Sequence, residues 1–588
     1  MRHYQLIPLH RKNMMLIIIS IFMLILVSRL YSLQIKNYQK YQSKANANSI
    51  RKIRLTASRG VIYDRFGSRL TDNRPTYDLN VIPVDVNDQF NYNLLSGVIN
   101  KSENEIKTEI EKLKRGIGRF RPHLLKRHVN FEDMSRLEEY KLDLPGVMFS
   151  EMPARIYPDS AKLSHALGYM RSITEEMITA ADPELNYSFD EVYGASGLER
   201  VYESDLRGEN GIEFHRVDIY NRDHGVLHNE ERFPPVPGNP LYTTINSRLQ
   251  QLTESLISEY RGAVVAMDPD NGEVLVFASA PDYSLDSFVG PIPIDIWSGW
   301  NTDENKPLVN RGINGLYPPG STFKLVAAAL IMESEMINPY HKVNCTGSYT
   351  LGDRIFHCWN LAGHGQVNLK SAIKYSCNVY FYQVIQGLIF AEWSNMATDF
   401  GFGSVTGIDL PFESEGLVPT KAYLNEKYTS RGWSTGNLLT FVIGQGDVLA
   451  TPIQVCQMMN LIASNGATAK PHFNLNAELV PFKINLKPKT WDFLQAAIND
   501  VVNGEAGTGK NVKIENGGIV YGKTGTSQNP HGEDHSSFVG YIVTDDNRKM
   551  TLYVIIENGG KGSGIASEIA KQIFQGFIDQ QDEVSGID

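Results

Sequence analysis

The feature that most constrains this chain is an apolar run close behind Arg11 and Lys12: Met14-Met-Leu-Ile-Ile-Ile-Ser-Ile-Phe-Met-Leu-Ile-Leu-Val27. Carried on through Leu30-Tyr-Ser-Leu33 and Ile35, it is long enough for a helix to span ~30 Å, the thickness of a bilayer core. Arg29 lies near one end, where a long side chain reaches the interface, and Tyr31 suits the interfacial aromatic position. No small-x-small cleavage pattern follows, and no cysteine is placed to carry a lipid. The sequence therefore predicts an uncleaved anchor over 14–35 rather than a removed signal. Arg2, Arg11 and Lys12 precede the span while Lys36, Lys40 and Lys44 follow it, so charge counting leaves the orientation open. No second run of spanning length appears, which puts the remainder of the chain on one side.

That remainder is long enough for several domains, and the net charge of −10 gives no reason to expect a nucleic-acid partner. Residues 36–58 are polar and basic and read as a stalk. Segment 59–240 mixes short strands and helices. One helix is announced by a capping box, Ser102 with Glu105, ahead of an Ile106, Ile110, Leu113 stripe. The Pro- and Gly-rich run Pro234-Pro-Val-Pro-Gly-Asn-Pro240 marks a boundary. From 241 a larger domain begins. Ala263-Val-Val-Ala-Met267 and Glu273-Val-Leu-Val-Phe277, joined by Asp268-Pro-Asp-Asn-Gly272, predict a β-hairpin. Three strand-like segments follow late in the chain (518–526, 536–543, 550–556), and then a helix with Ile565, Ile569, Ile573 and Phe577 on one face. The expected fold class is a multidomain α+β chain. It comprises a tail over 1–13, a single transmembrane helix, a mixed α/β domain over 36–240, and a domain over 241–580. In that last domain an antiparallel sheet, its first and last segments meeting, is covered by helices near 321–337 and 367–400. Residues 581–588 form an acidic tail.

Chemistry is signalled most sharply by Tyr317-Pro-Pro-Gly-Ser321-Thr-Phe-Lys324, where Pro and Gly halt the chain and an Ala/Leu-rich helix begins. Ser321 and Lys324, three apart, share a helix face. A Ser hydroxyl needs an adjacent base to become a nucleophile, and a Lys whose pKa is lowered by burial or a neighbouring cation can be that base. Alone, the pattern is short and common and more often describes a Ser N-cap with an exposed Lys one turn on. Ser376-Cys-Asn378 and then Lys523-Thr-Gly525-Thr526 change this. Each is weak alone, but together, in this order and ahead of two strands and a terminal helix, they are specific.

The ordered triplet resembles the penicillin-binding protein and serine β-lactamase superfamily. Arg59-Gly-Val-Ile-Tyr-Asp-Arg65-Phe-Gly67, Gly194-Ala-Ser-Gly-Leu-Glu199 and Ile443-Gly-Gln-Gly446 resemble motifs of class B penicillin-binding proteins, which carry a non-catalytic pedestal (dimerisation-type) domain. The segment 523–540 and Glu557-Asn-Gly-Gly560 are most similar to penicillin-binding protein 2, the elongation type. The resemblance implies a peptidoglycan D,D-transpeptidase of the bacterial inner membrane, with residues 1–13 cytoplasmic and the large domains periplasmic. By the same likeness Ser321 attacks the penultimate D-Ala carbonyl of a stem peptide and Lys324 is general base. Ser376 relays a proton to the leaving amine, Asn378 holds the substrate amide, and Lys523 supplies positive charge. Thr524, Gly525 and Thr526 line the site for the substrate carboxylate, and the N–H groups of Ser321 and Thr526 form an oxyanion hole. Arg59, Gly60, Asp64 and Arg65 are structural in this reading. Implied partners are stem peptides, β-lactam antibiotics, the membrane, a SEDS-family glycosyltransferase and rod-complex scaffold proteins. No cofactor is needed for the chemistry.

The chain has four cysteines. Cys456 lies in an apolar helical stretch and reads as a core residue. Three thiolates and an imidazole would make a closed tetrahedral zinc site, and the resemblance to elongation-type proteins implies Cys345, Cys358, His364 and Cys377 as ligands of a structural zinc. Two other readings stay open: a Cys345–Cys358 disulfide leaving Cys377 free, and three ordinary buried thiols. His531 and His535 flank a Pro/Gly turn and are expected on a loop bordering the cleft. Gly504-Glu-Ala-Gly-Thr-Gly-Lys510 mimics a phosphate loop, but Asn511 stands where Ser or Thr is required, so nucleotide binding is rejected. A β-lactamase would share the triplet without the anchor and long N-terminal domain. A β-lactam sensor would need a signalling domain across the membrane, and the intact triplet argues against a silent scaffold. The division-type transpeptidase is the nearest alternative.

Overall fold

The computed structural model describes residues 9–41, 50–115, 117–120, 122–158, 161–174, 176–177, 187, 191–217, 223–227, 232–290, 292–334, 337–387, 389–429, 432–529 and 532–584. His531 and part of each terminal tail lie outside them. Two compact units emerge. One comprises Met1–Ser58, Pro75–Ala154 and Gly208–Pro237; the other Arg59–Arg74, Arg155–Arg207 and Gly238–Asp588.

In the first unit the N-terminal helix Leu9–Tyr31 continues as a π-helical turn, Ser32–Lys36, closed by Asn37 donating to the Ser32 carbonyl. The helical stretch His10–Lys36 contains an 18-residue window with a mean hydropathy of 2.4 and no buried share, long and apolar enough to cross a membrane. Strand Ile50–Leu55 pairs antiparallel with Gly211–Val217, which also carries Asp223–Val226. A second sheet centres Asp72–Val81 between His123–Val129 and Val147–Ile156. Helices Tyr92–Ile99, Glu103–Lys114 and Phe131–Glu139 bury Leu95, Val98, Ile106, Ile110 and Leu137 around Leu79 and Val81. The expected capping box is formed: Ser102 accepts from Glu105 N–H, and the Glu105 carboxylate accepts in return.

The second unit is organised by a five-stranded antiparallel sheet. Its order is Val274–Ala280, Gly262–Met267, Lys549–Ile556, His535–Thr544, Gly518–Ser527. The predicted hairpin forms, and the first strand meets the last, Val264 opposite Val554. Side chains alternate between faces with period two. Ala263, Val265, Met267, Val539, Tyr541 and Tyr553 face the helical core that includes Lys324–Glu333. Val264, Ala266, Phe538, Leu552 and Val554 face the closing helix Ile565–Val584 through Ile569, Ile573 and Phe577. Both faces are covered, which is why these strands read as near-continuous apolar runs rather than alternating ones.

Arg59–Arg74 and Arg155–Arg207, which the sequence groups with 36–240, belong to this larger unit. A buried ion network ties them together. Glu199, fully buried, receives Arg59 and Arg155, the latter at 2.8 Å, while Arg59 also reaches Glu203 at 2.5 Å. Arg155 donates to the Gly60 carbonyl at 2.7 Å. Asp64 accepts from Ser247 Oγ at 2.5 Å and from the N–H groups of Phe66 and Ser68. Arg65 pairs with Glu273 at 3.3 Å.

Candidate active site

The chain reaches Ser321 through a constrained turn. Tyr317 exchanges backbone hydrogen bonds with Ala450, and Gly320 N–H donates to Gly444 O at 2.8 Å. Gly320 adopts φ 58°, and a side chain there would meet the Thr526 carbonyl at 2.6 Å, so only glycine fits. Gly320–Phe323 is a 3-10 turn that becomes the buried helix Lys324–Glu333. In 3-10 winding, residues three apart eclipse, so Ser321 and Lys324 are brought together more directly than in the expected α-helix. Ser321 makes no capping bond, so the N-cap alternative does not hold.

Lys324 is fully buried, with Nζ donating to Ser376 O at 2.8 Å and Asn378 Oδ1 at 2.6 Å and lying 3.3 Å from Ser376 Oγ. Ser376 sits between helices Leu369–Lys374 and Asn378–Val384 with φ 54°, a left-handed conformation that costs a non-glycine residue about 1–2 kcal/mol. Ser376 N–H on Ile373 O and Cys377 N–H on Ala372 O hold that bend. From the sheet edge, Lys523 Nζ donates to the same Ser376 hydroxyl at 3.0 Å and to Thr524 O at 2.9 Å. Two ammonium groups thus converge on one hydroxyl. Burial pushes Lys324 down to about 8. Lys523 is pushed well below the usual lysine range, by burial first and by Lys324 second. The geometry joins Lys324, Ser376, Asn378 and Lys523 directly and sets Ser321 one turn ahead of Lys324.

The rest of the Lys523-Thr-Gly-Thr526 segment lines the sheet edge. Thr524 Oγ1 donates to Thr508 Oγ1 at 2.9 Å, and Thr526 Oγ1 accepts from Gly562 N–H at 3.1 Å. Thr508 lies in the segment dismissed as a phosphate loop, and it also bonds the Lys374 carbonyl. Its signal was a Gly-flanked Thr just ahead of the K-T-G strand. Glu557 is a second residue whose role the sequence did not reveal. It accepts from Arg311 Nε at 2.7 Å, from Tyr317 OH at 2.8 Å and from Arg261, fixing the start of the Tyr317–Ser321 turn. His535 is not in a loop, as the sequence suggested, but opens the strand His535–Thr544. There its Nδ1 accepts from Asn558 N–H, its ring meets Tyr317 edge-on, and burial lowers its pKa.

Beside Ser376, Cys345, Cys358, His364 and Cys377 bring one ligand atom each to within 4.8 Å of one another. Strand Val343–Cys345 pairs with Gly365–Val367 to set two of them, and Cys377 follows Ser376 directly. Both Cys345 Sγ and Cys358 Sγ lie 3.6 Å from His364 Nδ1. A tetrahedron with Zn–S of ~2.3 Å and Zn–N of ~2.0 Å has S···N edges of about 3.5 Å, so the donor set fits zinc. All four cysteines are free, and the Cys345–Cys358 disulfide is not formed. Asn378 N–H donates to Cys358 Sγ at 3.4 Å. Cys456 is buried against Val265 and Thr551, as a core residue.

The penicillin binding protein transpeptidase domain family matches residues 262–575, and the penicillin-binding protein dimerisation domain family matches residues 54–243. Peptidoglycan D,D-transpeptidase MrdA of Salmonella typhimurium (strain SL1344) is 30% identical, over 95% of this chain and 94% of that protein. Among solved structures, the complex between PBP2 and MreC from Helicobacter pylori aligns with a TM-score of 0.79 and 28% identity, covering 90% of this chain and 99% of that one. Pseudomonas aeruginosa PBP2 in complex with WCK 5153 aligns with a TM-score of 0.69 and 29% identity, covering 90% and 96%. The expected fold class is borne out: the chain belongs to the penicillin-binding proteins, with a dimerisation domain followed by a transpeptidase domain.

Proposed function

We propose that this protein is an elongation-type peptidoglycan D,D-transpeptidase that works through an acyl-enzyme on Ser321. The carrying observation is the convergence of Lys324 and Lys523, both buried, on Ser376 Oγ one turn from Ser321. Ser321 Oγ attacks the penultimate D-Ala carbonyl, and neutral Lys324 takes its proton. The oxyanion faces the N–H groups of Ser321 and Thr526. Collapse expels terminal D-Ala as an amine, protonated through Ser376, and a second stem-peptide amine then takes the acyl group and frees Ser321. The substrate carboxylate meets Lys523, Thr524 and Thr526. Its charge holds a proton on Lys523, which in turn favours the neutral form of Lys324. Asn378, with its Oδ1 engaged by Lys324 and one Nδ2 hydrogen given to the His357 carbonyl at 3.3 Å, offers its other Nδ2 hydrogen to the substrate amide.

Cys345, Cys358, His364 and Cys377 would hold a structural zinc, which pins Cys377 and with it the two neighbours that flank it, Ser376 and Asn378. The domain scheme is anchor 14–35, pedestal to 240 and transpeptidase 241–580, with the large domains in the periplasm. β-Lactams acylate Ser321 as substrate mimics. The partners proposed are a SEDS-family glycosyltransferase and rod-complex scaffold proteins. The complex of Helicobacter pylori PBP2 with MreC supports the second of these, and the likeness to MrdA favours elongation over division. Incubating the full-length protein with glycan strands bearing pentapeptide stems should release D-Ala and give cross-linked dimers by mass spectrometry. Release without dimers would make it a carboxypeptidase, and no release would remove the catalytic reading.

A further inference from the structure

The five-stranded sheet has two outer edges, and at each a glutamine carboxamide occupies the place of a further strand. On Val274–Ala280, Gln250 accepts from Phe277 N–H at 2.8 Å and donates to Phe277 O at 2.9 Å. On Gly518–Ser527, Gln445 donates to Thr526 O at 3.1 Å and accepts from Gln528 N–H at 3.4 Å. A primary amide carries the same donor and acceptor as a peptide unit, so it completes a ladder position that a buried edge cannot leave empty.

Gln445 differs from Gln250 in what its backbone touches. The preceding residue, Gly444, has φ 69° and accepts Gly320 N–H, and a side chain at 444 would strike the Gly320 carbonyl at 2.3 Å. Consecutive residues 444 and 445 therefore grip the turn carrying Ser321 and the end of the strand carrying Thr526. Those two segments supply the N–H groups that face the oxyanion in the proposed mechanism. In an antiparallel strand the N–H and C=O of one residue point to the same edge. With the Thr526 carbonyl and Gln528 N–H taken by Gln445, the Thr526 N–H is what that end of the edge leaves for a reacting carbonyl.

We propose that Gln445 is a positioning residue for acylation: its carboxamide bridges Thr526 and Gln528 and so fixes the Thr526 N–H against the Ser321 N–H. The inference rests on the Ser321 acyl-enzyme. It is tested with Gln445→Ala and Gln445→Met in the full-length protein, Met keeping the side-chain length should Ala fail to fold. Benzylpenicillin acylation is resolved into the binding constant K′ and the acylation rate k2, and the acyl carbonyl stretch is read by infrared difference spectroscopy. The expected k2 falls ~10- to 100-fold, since a misaligned donor forfeits much of an oxyanion bond. K′ stays within about threefold, because the interaction matters in the transition state. The acyl carbonyl band moves to higher wavenumber as its hydrogen bonds weaken. An unchanged k2 overturns the proposal, and so does a lowered k2 with the band at its wild-type position, which would mark a merely structural role. If wild type itself never acylates, all three proteins look alike; the acyl-enzyme reading has then failed, and this inference falls with it.

Discussion

Raising the pH should switch acylation on through Lys324, and the size of the effect is set by where that ammonium sits. Nζ is fully buried among Ser376 and Asn378, and burial brings its pKa down to about 8. Burial penalises the charged form, so the neutral base gains population as pH rises. A pKa of about 8 leaves a neutral fraction of ~10% at pH 7, ~50% at pH 8 and ~90% at pH 9. The acylation constant k2/K′ for benzylpenicillin should therefore rise about fivefold from pH 7 to 8 and about twofold from 8 to 9, then level off. An unshifted lysine would instead give a rise of about tenfold per pH unit throughout this range and level off only above pH 10. Lys523 shares Ser376 Oγ and is itself lowered, so the inflection belongs to the pair. Rapid-quench intact-mass measurements from pH 6 to 9.5 give the profile. A curve that is flat from pH 6 to 9.5 would refute Lys324 as the base. Lys324→Arg, which keeps the charge but cannot release a proton, should lose ~10²–10⁴-fold at every pH.

Removing the shared hydroxyl in Ser376→Ala should lower benzylpenicillin k2 by ~10²–10⁴-fold with K′ little changed, and a wild-type k2 would exclude a proton relay at that position. Arg155→Ala leaves fully buried Glu199 half-paired and should cost about 3–5 kcal/mol in urea unfolding. In the folded fraction it should leave k2 unchanged, because Arg155 belongs to the Arg59–Glu199 network and not to the group around Ser376. Purified full-length protein should carry one zinc per chain by elemental analysis. Cys358→Ser should lose it together with thermal stability, while a protein that is metal-free with equal melting temperature in both forms would rule zinc out.

The sheet, its hairpin and the closing helix were legible because both-face burial writes long apolar runs, and because Ser102 with Glu105 spells a cap locally. The Ser321, Ser376 and Lys523 elements were legible as an ordered pattern, but their convergence was not. Nothing local says that Ser376 adopts a left-handed conformation or that two lysines share its hydroxyl, since that depends on a helix bend and a sheet edge distant in sequence. The Ser321 turn read as α-helix because Ala and Leu dominate residues 325–330, yet Gly320 and Gly444 impose a 3-10 start. Thr508, Gln445 and Glu557 act through partners from 16 to 296 positions away on other elements, and no spacing rule connects them. That Arg59–Arg74 belongs with the larger unit was illegible for a similar reason: Glu199 and Glu203, the ion partners of Arg59, and Arg155, which donates to the Gly60 carbonyl, lie far along the chain.

The central claim is a covalent one, and intact-mass analysis of full-length protein mixed with benzylpenicillin tests it most directly. The expected result is a lasting adduct of one drug molecule, mapping by peptide digestion to Ser321 and absent from Ser321→Ala. An adduct on another residue, or none from folded wild-type protein, would contradict it.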